Sequence, residues 1–142
     1  MNSSIDGVSA LVGLHHLRLP VSDVSCSSDW YTRVFDFEAR MVLEEEDRLV
    51  GIVVSHRSGL TLGLHHAPDL ARALRGFCPF AFSITTVDEL IRWCSHLDTL
   101  GVEHCAPTEG HLGWYVEVPD PDGIIIGLNT VSKIGQPSAD EA

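Results

Sequence analysis

Between residues 14 and 21 apolar and polar side chains alternate. LHHLRLPV sets Leu17, Leu19 and Val21 on one face of an extended chain, and His16, Arg18 and Pro20 on the other. The period then changes. In SDVSCSSDWYTRVF the residues Trp30, Tyr31, Val34 and Phe35 recur at helical spacing. EARMVLEE, RLVGIVVSH and LTLGLHH follow and read as three strands. The same order begins again with FAFSIT (80–85) as a strand. Thr86 and Glu89 then form a Thr-x-x-Glu capping box, whose hydroxyl and carboxylate are each expected to satisfy an orphan helix N–H. Leu90, Cys94, Leu97 and Leu100 make the apolar stripe of that second helix, and Gly101 is suited to end it. VEHCAP, GWYVEVP and GIIIGLN read as closing strands.

The two halves also match by letter. GLTLGL (59–64) and GIIIGL (123–128) share the frame Gly-x-x-x-Gly-Leu at an offset of 64 residues. A duplicated βαβββ unit accounts for both the frame and the element order. The predicted fold class is therefore α+β, a single domain over 1–142. The first module spans about 14–66, a connector 67–79, the second module about 80–130, and a polar, frayed tail 131–142. Neither unit buries its sheet alone, so two curved mixed sheets are expected side by side around a cavity, the natural place for a ligand.

Composition narrows the partners. Twenty acidic against nine basic residues give a net charge of −11, which argues against nucleic acid and anionic lipid. No apolar run approaches the length of a membrane span, and the opening MNSSIDGVSALVGL lacks the basic start of a secretory signal. Cys26, Cys78, Cys94 and Cys105 are scattered, with no Cys-x-x-Cys pair, and read as reduced thiols of a cytoplasmic protein.

HHLRLPVSDV followed by DWYTRVFDFE, with DPDGIIIGL near the end, resembles the vicinal oxygen chelate superfamily. That superfamily includes glyoxalase I, extradiol dioxygenases, fosfomycin-resistance enzymes and bleomycin-binding proteins. Asp36 stands where many relatives have glycine. The resemblance implies the paired-module fold, a homodimer, and a divalent ion (Fe, Mn, Ni or Zn) held by Glu and His on facing strands. Carried over position by position, the four ligands fall on His16, Gly63, Pro79 or Phe80, and Gly127. Only His16 carries a donor atom, whereas a catalytic ion such as zinc normally keeps three protein ligands. The expectation is therefore a pocket without the usual metal, with extra room at Gly63 and Gly127.

Other polar residues share the pocket side by strand alternation: Thr61 and His65 beside Gly63, and Tyr115 and Glu117 before the Asp-Pro-Asp-Gly turn. A displaced site on His16, His65 and Glu117 would resemble a 2-His-1-carboxylate set. His65, however, lies about 6.6 Å further along its strand than the usual ligand. Each residue also has a plainer role open to it. His16 could be a pocket histidine with no ligand role, Glu117 a rim charge paired with Arg18, and Trp114 either a cavity wall or core. His96 and His104 read as surface residues. His111, in the glycine-flanked TEGHLGW, reads as a loop over the pocket or a simple connection.

The sequence points first to a small-molecule-binding protein with no cofactor. Arg18, Thr61, His65, Trp114 and Tyr115 are its ligand contacts, and His16 and Glu117 are the groups able to move a proton. The competing reading is an enzyme, a lyase, isomerase or dioxygenase using the displaced metal or a His/Glu acid–base pair. A third reading is a module that only dimerises.

Overall fold

The structure, a computed structural model, describes residues 5–130; the tail expected over 131–142 lies outside them. Two four-stranded mixed sheets form the frame. In the first, β1 (Leu17–Val21) runs parallel to β4 (Thr61–His66), followed by antiparallel β3 (Arg48–Ser55) and β2 (Glu38–Glu45). The second repeats the order with β5 (Phe80–Ile84), β8 (Ile125–Thr130), β7 (Gly113–Pro119) and β6 (Thr108–Gly110). The duplication extends to register. Arg18 pairs with Gly63 in the first sheet, and Ala81 pairs with Gly127 in the second.

Each sheet is covered by the helix that follows its first strand. α1 (Val24–Phe35) starts at Asp23, whose carboxylate accepts the Cys26 N–H at 3.0 Å, and buries Tyr31, Val34 and Phe35. It lies on the face formed by Leu19, Val21, Ile52, Val54, Leu62 and Leu64, all buried. α3 (Val87–Thr99) covers Val116, Val118, Ile126 and Leu128 with its own buried stripe of Leu90, Cys94 and Leu97. These side chains form one continuous core across both modules. Buried Phe35 and partly buried Phe82 join the modules, with ring centroids 5.3 Å apart and edge to face.

Four local expectations change. The Thr86 hydroxyl accepts the Glu89 N–H at 3.2 Å, but the Glu89 carboxylate turns outward to Arg92, so the capping box is one-sided. VEHCAP (102–107) is not a strand. Cys105 donates its N–H to the Glu117 carbonyl at 3.2 Å, but Pro107 has no N–H to continue a ladder, and pairing resumes only at Thr108. His111 and Leu112 form the tight turn of the β6–β7 hairpin, closed by the Gly110–Gly113 pair. The connector contains a short helix, α2 (Pro68–Ala73), with Pro68 in its first turn and Ala71 buried.

Candidate functional site

The sheet faces turned away from the helices carry the polar side chains. On the first sheet these are exposed Arg18 on β1 and Thr61, Gly63 and His65 on β4, opposite Val53 on β3. His16 precedes the strand and is exposed, its ring edge-on to His15. Their Nδ1 atoms lie 2.9 Å apart, so one ring must carry its proton there and the other accept. The face is open: all eight residues of β2 are exposed, with Met41 at 57% and Val42 at 56%.

On the second sheet the equivalent face carries Tyr115 and Glu117 on β7, Gly127 and Asn129 on β8, and Ala81 and Ser83 on β5. Glu117 lies opposite Gly127, which lies opposite Ala81. The Trp114 side chain alternates to the other side, where it packs against the core, and the Trp114 backbone N–H donates to the Thr130 hydroxyl at 2.9 Å. Two cysteines flank this face. The Glu117 N–H donates to Cys105 Sγ at 3.2 Å, and the Cys78 thiol donates to the Phe80 carbonyl at 3.3 Å. Burial, and then the nearby Glu117 charge, push the Cys78 thiol pKa up, which keeps it a poor nucleophile.

The two glycines are not equivalent. A Cβ on Gly63 would meet only the Leu17 carbonyl oxygen, at 3.9 Å, so this position is open. A Cβ on Gly127 would lie 2.8 Å from the Ala81 Cβ and 3.4 Å from Cys78 Sγ. The extra room expected at 127 is therefore absent. Glycine stands there because β5 approaches too closely for any side chain.

The Asp-Pro-Asp-Gly turn has a structural task. Asp120, 5% exposed, accepts the Tyr31 hydroxyl on Oδ2 at 2.9 Å, and the N–H groups of Asp122 and Ile124 on Oδ1 at 2.9 and 3.0 Å. Asp122 accepts the Ser22 N–H at 3.1 Å. Burial, ahead of the hydrogen bonds that oppose it, raises the Asp120 pKa; burial and the Asp120 charge raise that of Tyr31. Sequence reading placed the turn but not its partner, although Tyr31 stood on the predicted apolar helix stripe. His96 and His104 also make specific contacts. His96 Nε2 lies 2.9 Å from the Val34 carbonyl, and His104 bridges Asp98 and the Cys105 carbonyl, each at 2.7 Å.

Among the described residues no three His, Cys, Asp or Glu side chains come within range of a common ion. The four positions carried over from metal-dependent relatives hold an imidazole, two glycines and an apolar residue. That donor set does not fit a divalent ion, and the crowding at Gly127 closes one corner to any longer side chain.

Two βαβββ modules with helices outside and polar strand faces opposite define a paired-module fold. The Glyoxalase/Bleomycin resistance protein/Dioxygenase superfamily model matches residues 13–128, and the chain belongs to that superfamily. Among solved structures it is similar to TnmS3, an antibiotic binding protein from Streptomyces sp. CB03234, at 25% identity and TM-score 0.70, over 88% of this chain and 100% of that one. It is also similar to the fosfomycin resistance protein FosX from Listeria monocytogenes, at 21% identity and TM-score 0.69, over 87% of this chain and 97% of that one. A third similar structure is a glyoxylase/bleomycin resistance protein/dioxygenase domain from Frankia sp. EAN1pec, at 20% identity and TM-score 0.66, over 89% and 96% of the two chains. No curated protein matches the sequence. No helix among the described residues is long and apolar enough to cross a membrane.

Proposed function

We propose that the protein binds a small, flat, amphipathic molecule against its strand faces and does so without a divalent ion. The observation that carries this reading is the pair of glycines at two of the four positions onto which the resemblance carries metal ligands. Gly127 is walled in by Ala81 and Cys78, and Gly63 faces open space that a ligand ring can use. Arg18, Thr61 and His65 orient the ligand from one face, Tyr115 and Glu117 from the other. The likeness to TnmS3, an antibiotic binding protein, supports a small-molecule ligand.

Two copies complete the site. In one chain the polar faces are open, with Arg18, His65, Ala81 and Ser83 exposed, and Leu11 and Val12 of the N-terminal arm stand at 98% and 101% exposure. A homodimer covers these apolar positions and lets the first module of one copy close over the second module of the other. The four free thiols fit a reducing cytoplasm.

The test has two arms. After incubation with Fe, Mn, Ni and Zn and gel filtration, the protein should retain no stoichiometric metal. Calorimetry with a panel of planar aromatic antibiotics should find a ligand whose affinity is unchanged by EDTA. One tightly held ion per chain, or binding abolished by the chelator, defeats the metal-free reading.

A further inference from the structure

The seam between the modules holds a second recess, lined by none of Arg18, His65, Tyr115 or Glu117. Its inner chamber, about 460 Å³, is walled by Phe35 and Phe37 from the first module and by Phe80, Phe82 and Trp93 from the second. The rings pack on one another at angles, Phe37 on Phe82 and Phe35 on Trp93 each at 5.8 Å, so the recess has an aromatic wall whose partly exposed members are Phe80, Phe82 and Trp93.

A neighbouring groove of about 430 Å³ shares Phe35, His56 and Trp93 with it. Around that groove stand Arg33, Arg57 and Arg92, three of the nine basic residues in a chain of net charge −11. Its acidic residues are committed: Asp36 pairs with Arg57 at 3.5 Å, and Glu89 pairs with Arg92. Arg33 makes no ion pair among the described residues, so three guanidinium groups against two carboxylates leave one positive charge. His56 accepts the Ser58 N–H on Nδ1 at 3.0 Å, which places the proton of its neutral ring on Nε2 as a further donor.

An aromatic recess beside a rim of one net positive charge suits one ligand chemistry. We propose that the seam binds an aromatic monocarboxylate, its ring against Phe80 and Phe82 and its carboxylate at the Arg33 rim. Both recesses are within the size range of small-ligand sites. This recess shares Ala81 and Ser83 with the strand faces but none of Arg18, His65, Tyr115 or Glu117, so substitutions at Arg18 and Glu117 on one side and Arg33 on the other tell the two sites apart.

The experiment uses the full chain and 2-naphthoate as probe, followed by calorimetry and by tryptophan quenching in wild type and Trp93→Phe. Binding of one naphthoate per chain is expected, with 2-methylnaphthalene bound about tenfold more weakly for want of the charge. Arg33→Gln should weaken naphthoate about fivefold, as expected for one exposed charge pair, and Arg33→Lys should restore most of it. Arg18→Gln and Glu117→Gln should leave it unchanged, and Trp93→Phe should remove most of the quenching. Absence of naphthoate binding overturns the proposal, as does binding indifferent to Arg33. Loss of binding in Arg18→Gln would assign the probe to the strand faces, which supports the first site and ends this one.

Discussion

The hydroxyl of Tyr31 donates to the carboxylate of Asp120 across 2.9 Å and 89 positions of sequence, with neither residue more than 5% exposed. This contact fastens the turn before β8, in the second module, to α1 in the first. The other Asp120 oxygen organises the turn itself through two backbone N–H groups. The Asp-Pro-Asp-Gly turn is thus a clamp between modules, and its presence carries no information about a metal beyond it.

Replacing Tyr31 with Phe keeps the ring packing and removes the donor. One oxygen of a buried carboxylate then loses its partner, at a cost of about 1–3 kcal/mol. Denaturant unfolding should show this loss with an unchanged slope. A change below about 0.5 kcal/mol would mean that water replaces the hydroxyl and that the clamp is not load-sharing.

His104 gives a pH dependence whose sign follows from its partners. Its hydrogen bond to the Cys105 carbonyl, followed by the opposing effect of burial and then by Asp98, leaves the folded-state pKa above the ordinary histidine value. A raised histidine pKa means the folded state binds the extra proton. The stabilisation is fully present below the unfolded pKa and is lost as pH rises through the folded one. The stability difference between wild type and His104→Gln should therefore be larger near about pH 5.5 than near about pH 8.5. A difference that is flat, or that grows with pH, would contradict the bridge to Asp98.

The helix cap separates two contributions that a capping box would combine. Thr86 makes its bond to the Glu89 N–H, so Thr86→Ala should cost about 1 kcal/mol. The Glu89 carboxylate pairs with Arg92 at the surface, so Glu89→Gln should cost no more than about 0.5 kcal/mol. Equal losses in thermal or chemical unfolding would show that Glu89 reaches back to the cap in solution.

What the sequence revealed follows the range of the interactions involved. Alternation and helical spacing are local, and they placed β2 to β5, β7, β8 and both long helices within a residue or two, and β1 within three. VEHCAP alternates like a strand, but it is held by the end of α3, through the Leu97 carbonyl and the Asp98 side chain, and meets β7 only at Cys105 and Glu117. The Tyr31–Asp120 bond, the ring wall at Phe35 and Phe82, and the side of β7 taken by Trp114 depend on how the modules meet. No periodicity carries that information. The strand faces holding Arg18, Gly63, His65, Tyr115 and Glu117 were legible from alternation alone. Whether a glycine marks open space or a tight approach was not, because it depends on the neighbouring strand.

That difference can be measured. Gly63→Ala places its Cβ 3.9 Å from the nearest atom and replaces a flexible residue inside a strand, so stability should stay level or rise by up to about 1 kcal/mol. Gly127→Ala drives its Cβ to 2.8 Å from the Ala81 Cβ and 3.3 Å from the Ala81 Cα. Because part of that obstacle is backbone, β5 and β8 must separate, and the cost should reach about 1–3 kcal/mol. Removing the Ala81 methyl clears the closer contact, so the Ala81→Gly/Gly127→Ala double variant should recover part of the loss. A coupling of at least about 1 kcal/mol is expected in the four-member cycle. Without such coupling the glycine at 127 would not be there to let the strands approach, and the space beside Glu117 would again be open to a longer side chain and an ion.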